Sequence, residues 1–176
     1  MAEVTLPDGL TVHLRPVRAE DAAAIRRLFQ GLSETSTWLR FFTVRPSLDS
    51  VVGWATQVDN DRRLGLAAIA ADTGQLIAHA GLERDPRQPD RAEFAVAIAD
   101  GYQGRGLGRL LLGRLVEAAR QAGIGWLAGE VLANNHRMVN LLRHSGWAVR
   151  LRPSCGVVLV EVSTWSSPDC GMVPAA

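Results

Sequence analysis

The chain has 176 residues, 47% of them hydrophobic, and its 19 basic and 18 acidic side chains leave a net charge of +1. That length and balance fit one globular domain with a substantial core, and argue against a dedicated nucleic-acid binder, which carries a basic face. Every basic residue is arginine, which excludes a lysine Schiff base and a Walker-type phosphate lysine.

In chain order, residues 10–17 alternate Leu10, Val12 and Leu14 and predict a first strand. Residues 18–33 open on acidic side chains and carry the stripe Ala22, Ile25, Leu28 and Phe29, which predicts a helix ending near Gly31. The segment "SETSTWLRFF", rich in hydroxyls and then aromatics, has no clear periodicity, and residues 47–57 predict a short helix. Two apolar runs, 62–71 and 75–84, flank Asp72-Thr73-Gly74 and read as a hairpin. A further strand, "RAEFAVAIAD", leads into the glycine-dense "GYQGRGLG" and a long helix. The apolar positions of that helix, Leu107, Leu110, Leu111, Leu115, Ala118 and Ala119, fall at intervals that build one buried face. A strand over 125–132, a helix over 135–146 with Met138, Leu141 and Leu142 inward, and two strands at 147–151 and 156–162 complete the pattern. The order β-α-α-β-β-β-α-β-α-β-β predicts an α/β (α+β) domain, a mixed and mostly antiparallel sheet of about seven strands flanked by about four helices. Residues 1–165 form the expected domain and 166–176 a C-terminal tail.

Cys155 and Cys170 lack CxxC spacing, and His13, His79, His136 and His144 form no zinc pattern, so no metal is expected. No apolar run reaches the length of a membrane span and the N-terminus lacks a signal-peptide pattern, so the expected location is cytoplasmic.

Glycine gives up the most backbone freedom on folding, so its density in "YQGRGLG" calls for a reason. A dinucleotide turn wants GxGxxG after the first strand of its unit, and here GxGxG follows a late strand. A pyrophosphate cradle of the form Q-x-x-G-x-G is matched by Gln103, Gly106 and Gly108. The amides of a helix's first turn lack intrahelical partners and carry partial positive charge, and glycine leaves them accessible. A glycine-rich bend without a ligand is the plain alternative.

The block "FAVAIADGYQGRGLGRLLLGRLVEAA" followed by "VLANNHRMVNLLRHSGW" resembles the GNAT superfamily of acyl-CoA-dependent N-acetyltransferases, and the element order matches over roughly residues 4–162. The resemblance implies that the backbone of Gln103, Gly104, Arg105, Gly106, Leu107 and Gly108 holds the pyrophosphate of acetyl-CoA. It implies that the preceding strand splays from its neighbour, placing Ala97 and Ile98 beside the acyl thioester, and that Asn135, which also reads as a helix cap, contacts the pantetheine arm. Transfer to an amine needs a proton acceptor. Glu93 is the candidate general base, on the same strand as Ile98 and at the expected wide part of the cleft. The alternative for Glu93 is an ion pair with Arg91 or Arg84.

"LSETSTWLRFF" resembles the Leu-Ser-x-x-Ser-x-x-x-Arg-Phe-Phe signature of bacterial protein lysine acetyltransferases, the Pat group. It implies a protein lysine acceptor and an acceptor-binding role for Ser33, Ser36 and Arg40, with a glutamate at the position of Glu93 as base. A loop packed by Trp38, Phe41 and Phe42 is the structural alternative. Many members carry a tyrosine that protonates the leaving thiolate; that position is Leu142 here, and the one tyrosine, Tyr102, sits on the glycine turn. Water or Ser145 is left for that proton. His79 and His136 are weaker candidates, and an acyl-cysteine at Cys155 is not expected. Two rival functions stand beside this one: a small-amine acetyltransferase (polyamine, amino acid or aminoglycoside), and a non-catalytic acyl-CoA sensor. The expected partners are acetyl-CoA and the acceptor, with no nucleic acid and no membrane, and homodimerisation is left open.

Overall fold

A computed structural model describes residues 2–165; Cys170 and the expected tail lie outside the described residues. Eight strands form one sheet in the order β1-β2-β3-β4-β5-β6-β8-β7. They are β1 (Ala2–Thr5), β2 (Thr11–Pro16), β3 (Arg63–Ala70), β4 (Leu76–Arg84), β5 (Arg91–Ile98), β6 (Trp126–Leu132), β7 (Val149–Ser154) and β8 (Val157–Ser163). Five α-helices accompany them: α1 (Ala22–Gln30), α2 (Glu34–Phe41), α3 (Leu48–Thr56), α4 (Leu107–Gln121) and α5 (His136–Arg143). The mixed, mostly antiparallel class is as expected, but the count exceeds seven strands and four helices by two elements.

The first is β1, which pairs with β2 through Ala2↔Leu14 to Thr5↔Thr11. Its only large apolar residue, Val4, is half-buried, so "AEVT" carries almost no alternation to read. The turn behind it closes through Leu6 N–H to the Leu10 carbonyl and the Leu10 N–H to Asp8 Oδ1, with Gly9 at φ +87°. The second is α2, where the hydroxyls mask a helix. Ser33 is its N-cap, accepting from the Ser36 N–H at 3.2 Å, Thr37 is its buried residue, and Phe42 ends it in the left-handed region at φ 59°.

All strand pairs are antiparallel except β5–β6, which the crossover helix α4 connects. Successive side chains of β5 divide between two cores. Ala92 and Phe94 join the face covered by α4 and α5, with Leu107, Leu111, Leu112 and Leu115, whereas Ala97 joins Ile25, Phe29 and Val52 of α1 and α3. Leu142 packs in the first of these cores as expected, beside Val139. Among the described residues no helix is long and apolar enough to cross a membrane.

Candidate functional site

The parallel ladder between β5 and β6 has only three rungs, Arg91↔Trp126, Ala92↔Leu127 and Glu93↔Ala128. Beyond them β5 keeps its pairing with β4 to Ile98, and β6 keeps its pairing with β8 to Leu132, so the two strands part. The opening is a cleft of about 830 Å³, lined by Glu93, Val96, Gly129, Asn135 and Met138, and walled on one side by Leu39, Arg40 and Phe41 of α2. Glu93 therefore stands at the root of the split rather than at its wide part, because it forms the last paired rung.

The Glu93 side chain is exposed to the cleft and makes no ion pair or hydrogen bond among the described residues. Its two candidate partners are engaged elsewhere: Arg91 holds Glu161, and Arg84 donates to the carbonyls of Pro89 and Ala122. Directly across the ladder lies Glu83, which the sequence alone does not single out. Its carboxylate accepts from Trp54 Nε1 at 2.7 Å and Arg63 at 3.0 Å, and forms a further ion pair with Arg62 at 2.9 Å. Partial burial pushes the Glu83 carboxyl up, and the Arg63 and Trp54 hydrogen bonds outweigh it, leaving the group below its usual range. Of two facing carboxylates, one is neutralised and the other is free.

The Arg40 guanidinium lies 4.8 Å from the Phe41 ring centroid and 5.9 Å from that of Trp54, with its buried Nε unpartnered. Burial pulls its pKa down to about 10, and the negative charge of Glu93 acts in the opposite direction. Arg40 stays charged at neutral pH beside the free carboxylate. Behind it, His79 is fully buried on the same sheet face, edge-on to Phe29 and Trp54. Burial and then the Arg40 charge lower its pKa to about 3, and neither ring nitrogen has a hydrogen-bond partner, so the ring is neutral and cannot supply a proton at ordinary pH.

The far end of β5 runs into the glycine turn. Gly104 and Gly106 have φ of +77° and +91°, and a Cβ added to either would meet nothing within 4 Å. Gly106 caps α4, and six consecutive backbone N–H groups, from Gly104 to Arg109, make no hydrogen bond within the described chain. Unpaired amides facing open space, at the start of a 15-residue helix, meet the requirements of a pyrophosphate cradle. Leu107 contributes only its amide, its side chain being buried in the core. Gly108 offers its amide and also serves packing. A Cβ there would stand 3.0 Å from Leu141 Cδ1, so the bare position lets α5 approach α4.

The side chain of Gln103 does not project freely. Its Nε2 donates to the Ile98 carbonyl and to Ser36 Oγ, both at 3.0 Å, and its Oε1 accepts from Arg137 at 2.6 Å. Arg105 pairs with Asp8 and lies 5.8 Å from the Tyr102 ring. Asn135 caps α5 by accepting from the Met138 N–H at 3.1 Å while lining the cleft, so the cap reading holds and the contact role is left open to it. Ala97 is buried with its side chain turned away from the α4 core, and Ile98 is half-buried against it. Ser33 and Ser36 both donate to Asp100, a residue that in the sequence is only the polar end of a strand. Ser145 is buried and spends its proton on the Leu142 carbonyl at 2.7 Å, which removes it as the acid. Cys155 is exposed on the β7–β8 turn and His136 is exposed at the start of α5. Among the described residues no three His, Cys, Asp or Glu side chains cluster as metal ligands.

Comparison with known proteins matches residues 11–158 to the family model described as "Acetyltransferase (GNAT) domain". The chain is 31% identical over 174 residues to "Acetyltransferase Pat" of Mycolicibacterium smegmatis, covering 97% of this chain and 50% of that protein. It is 29% identical over 140 residues to "Acetyltransferase PA5475" of Pseudomonas aeruginosa, covering 78% of this chain and 75% of that one. The chain thus spans half the length of the first of these relatives. Among solved structures, the GNAT domain of S. lividans PAT superposes with a TM-score of 0.82 at 32% identity, covering 92% of this chain and 96% of that one.

Proposed function

The chain belongs to the GNAT acetyltransferases, enzymes that take their acyl group from acetyl-CoA, and from that premise we propose that it acetylates an amine by direct transfer, with a protein lysine as acceptor. The observation that carries the reading is the parting of β5 from β6 immediately after Glu93, which opens a cleft between a free carboxylate and a turn of unpaired amides. The amides of residues 104–109 hold the pyrophosphate, and the unpaired edge of β5 up to Ile98 receives the pantetheine arm. Acetyl-CoA supplies the activated thioester.

Glu93 receives the proton that the amine sheds as it attacks. Its freedom from any ion pair suits this role, because a carboxylate locked to arginine, as Glu83 is, is a poor proton acceptor. The buried charge of Arg40 on the neighbouring wall disfavours an ammonium ion and so favours the neutral, nucleophilic amine. Solvent protonates the leaving thiolate, whose ordinary pKa of about 8.5, by analogy with cysteine, makes a dedicated acid dispensable. The lysine acceptor rests on the likeness to the Pat proteins in the α2 segment, and Trp38, Phe42 and Val44 leave apolar surface exposed in and just beyond that segment, where a polypeptide could lie.

Coenzyme A release, measured with lysine-bearing proteins and with small amines, tests the proposal against Glu93→Gln. The variant loses about 10²–10⁴-fold in turnover while its acetyl-CoA affinity is unchanged. Normal acetyl-CoA binding without transfer to any amine would refute the enzymatic reading, and transfer to small amines alone would refute the lysine acceptor.

A further inference from the structure

We infer that Asp100 is a positioning residue that couples helix α2, the wall of the cleft beside Glu93, to the acetyl-CoA turn. This rests on the site reading above. The helix has eight residues, too few to be stable alone, and Trp38 and Phe42 at its far end are exposed. Its near end is held by one carboxylate. Asp100 accepts from the Ser33 N–H at 2.9 Å, from Ser33 Oγ at 2.8 Å and from Ser36 Oγ at 2.6 Å. A carboxylate at a helix N-terminus also meets the positive end of the helix dipole.

The same residue opens the glycine turn. The Gln103 N–H donates to the Asp100 carbonyl at 3.2 Å, and the Gln103 side chain returns to Ser36 Oγ. Ser36 is therefore shared by Asp100 and Gln103, and Arg137 at the start of α5 holds the other end of the Gln103 amide. Whatever fixes residues 103–108 fixes Asp100 and Ser36 with them. The far end of α2 carries Leu39, Arg40 and Phe41 into the cleft. Pyrophosphate seated on the turn thus steadies the cleft wall through a chain of side-chain hydrogen bonds, and acetyl-CoA binding prepares the acceptor side.

Hydrogen exchange of the full chain, with and without saturating coenzyme A, reads this directly. In the wild type, coenzyme A slows exchange at the turn and also across residues 34–41, the latter by about fivefold or more, the lower range of coupling between two sites. Asp100→Ala abolishes the response of α2 while the turn still responds. Ser36→Ala, at a half-buried helical position that tolerates alanine, keeps the fold and shrinks the response. An α2 that ignores coenzyme A while the turn responds overturns the coupling alone, as does an undiminished response in either variant. If coenzyme A alters exchange nowhere, the site reading falls and the coupling falls with it.

Discussion

Gly106 and Gly108 look interchangeable in "GRGLG", and their environments predict different consequences for the same substitution. At Gly106, alanine meets no atom within 4 Å, so no packing is lost; the cost to stability is the strain of a Cβ at φ +91°, about 1–2 kcal/mol. The added methyl stands in the open space beside the unpaired amides. A hydrogen bond to a charged group is worth roughly 1.5–3 kcal/mol, so losing one to phosphate weakens acetyl-CoA about 10- to 100-fold. At Gly108 the backbone is helical and unstrained, and the methyl arrives 3.0 Å from Leu141 Cδ1, the free end of a half-buried side chain that has to give by a few tenths of an ångström. That mild crowding is opposed by the gain of about 0.5–1 kcal/mol from replacing glycine with alanine in a helix, so stability stays within about 1 kcal/mol of the wild type, and the amides stay open. Isothermal titration of acetyl-CoA and urea unfolding of both alanine variants separate the two effects. Gly106→Ala is expected to lose affinity out of proportion to stability, and Gly108→Ala to keep both close to the wild type. A folded Gly106→Ala protein that binds acetyl-CoA as tightly as the wild type would refute the cradle.

Two further outcomes concern the face beneath the cleft. His79 keeps a pKa of about 3 when folded against 6.5 when unfolded, so the unfolded chain binds the extra proton and stability falls as pH drops below 6.5; by pH 5 the loss from this group is about 2 kcal/mol. His79→Leu should flatten that acid limb in urea unfolding at pH 7.5 and pH 5, and an unchanged limb would show that the ring titrates normally. Arg40→Met removes a half-buried guanidinium whose buried Nε has no partner, so stability should hold within about 1 kcal/mol. Its acceptor KM should rise by about tenfold, or 1.4 kcal/mol, and a loss of stability with unchanged KM would make Arg40 a packing residue only.

The parts of the molecule legible in the sequence are those whose signal is local. The strand β5, the glycine turn and helix α4 each announce themselves within a few residues, by alternation, by glycine and by a repeat of three and four. The helix α2 does not, because its start depends on a serine cap and its buried residue is a threonine; neither adds to apolar periodicity. The strand β1 has too little apolar content to alternate. Glu83 is hidden for another reason. At the end of "AHAGLER" it reads as the polar close of a strand, and only the register of β4 against β5 sets it opposite Glu93.

The serines show the same limit from the other side. A motif match assigns Ser33 and Ser36 to the acceptor, yet both hydroxyls are turned onto Asp100, which lies more than sixty residues away in the chain. Spacing within the α2 segment is what such a motif records, and it is compatible with a contact to substrate or with a contact to the cofactor turn. The hydrogen bonds distinguish the two ends of the helix. Arg40, on the cleft-facing part of the helix, touches neither Asp100 nor the turn and keeps an unpaired nitrogen, whereas the serines keep no free donor. On the function proposed above, the segment divides by position: its first turn braces the glycine turn through Asp100 and Gln103, and its last turn walls the cleft.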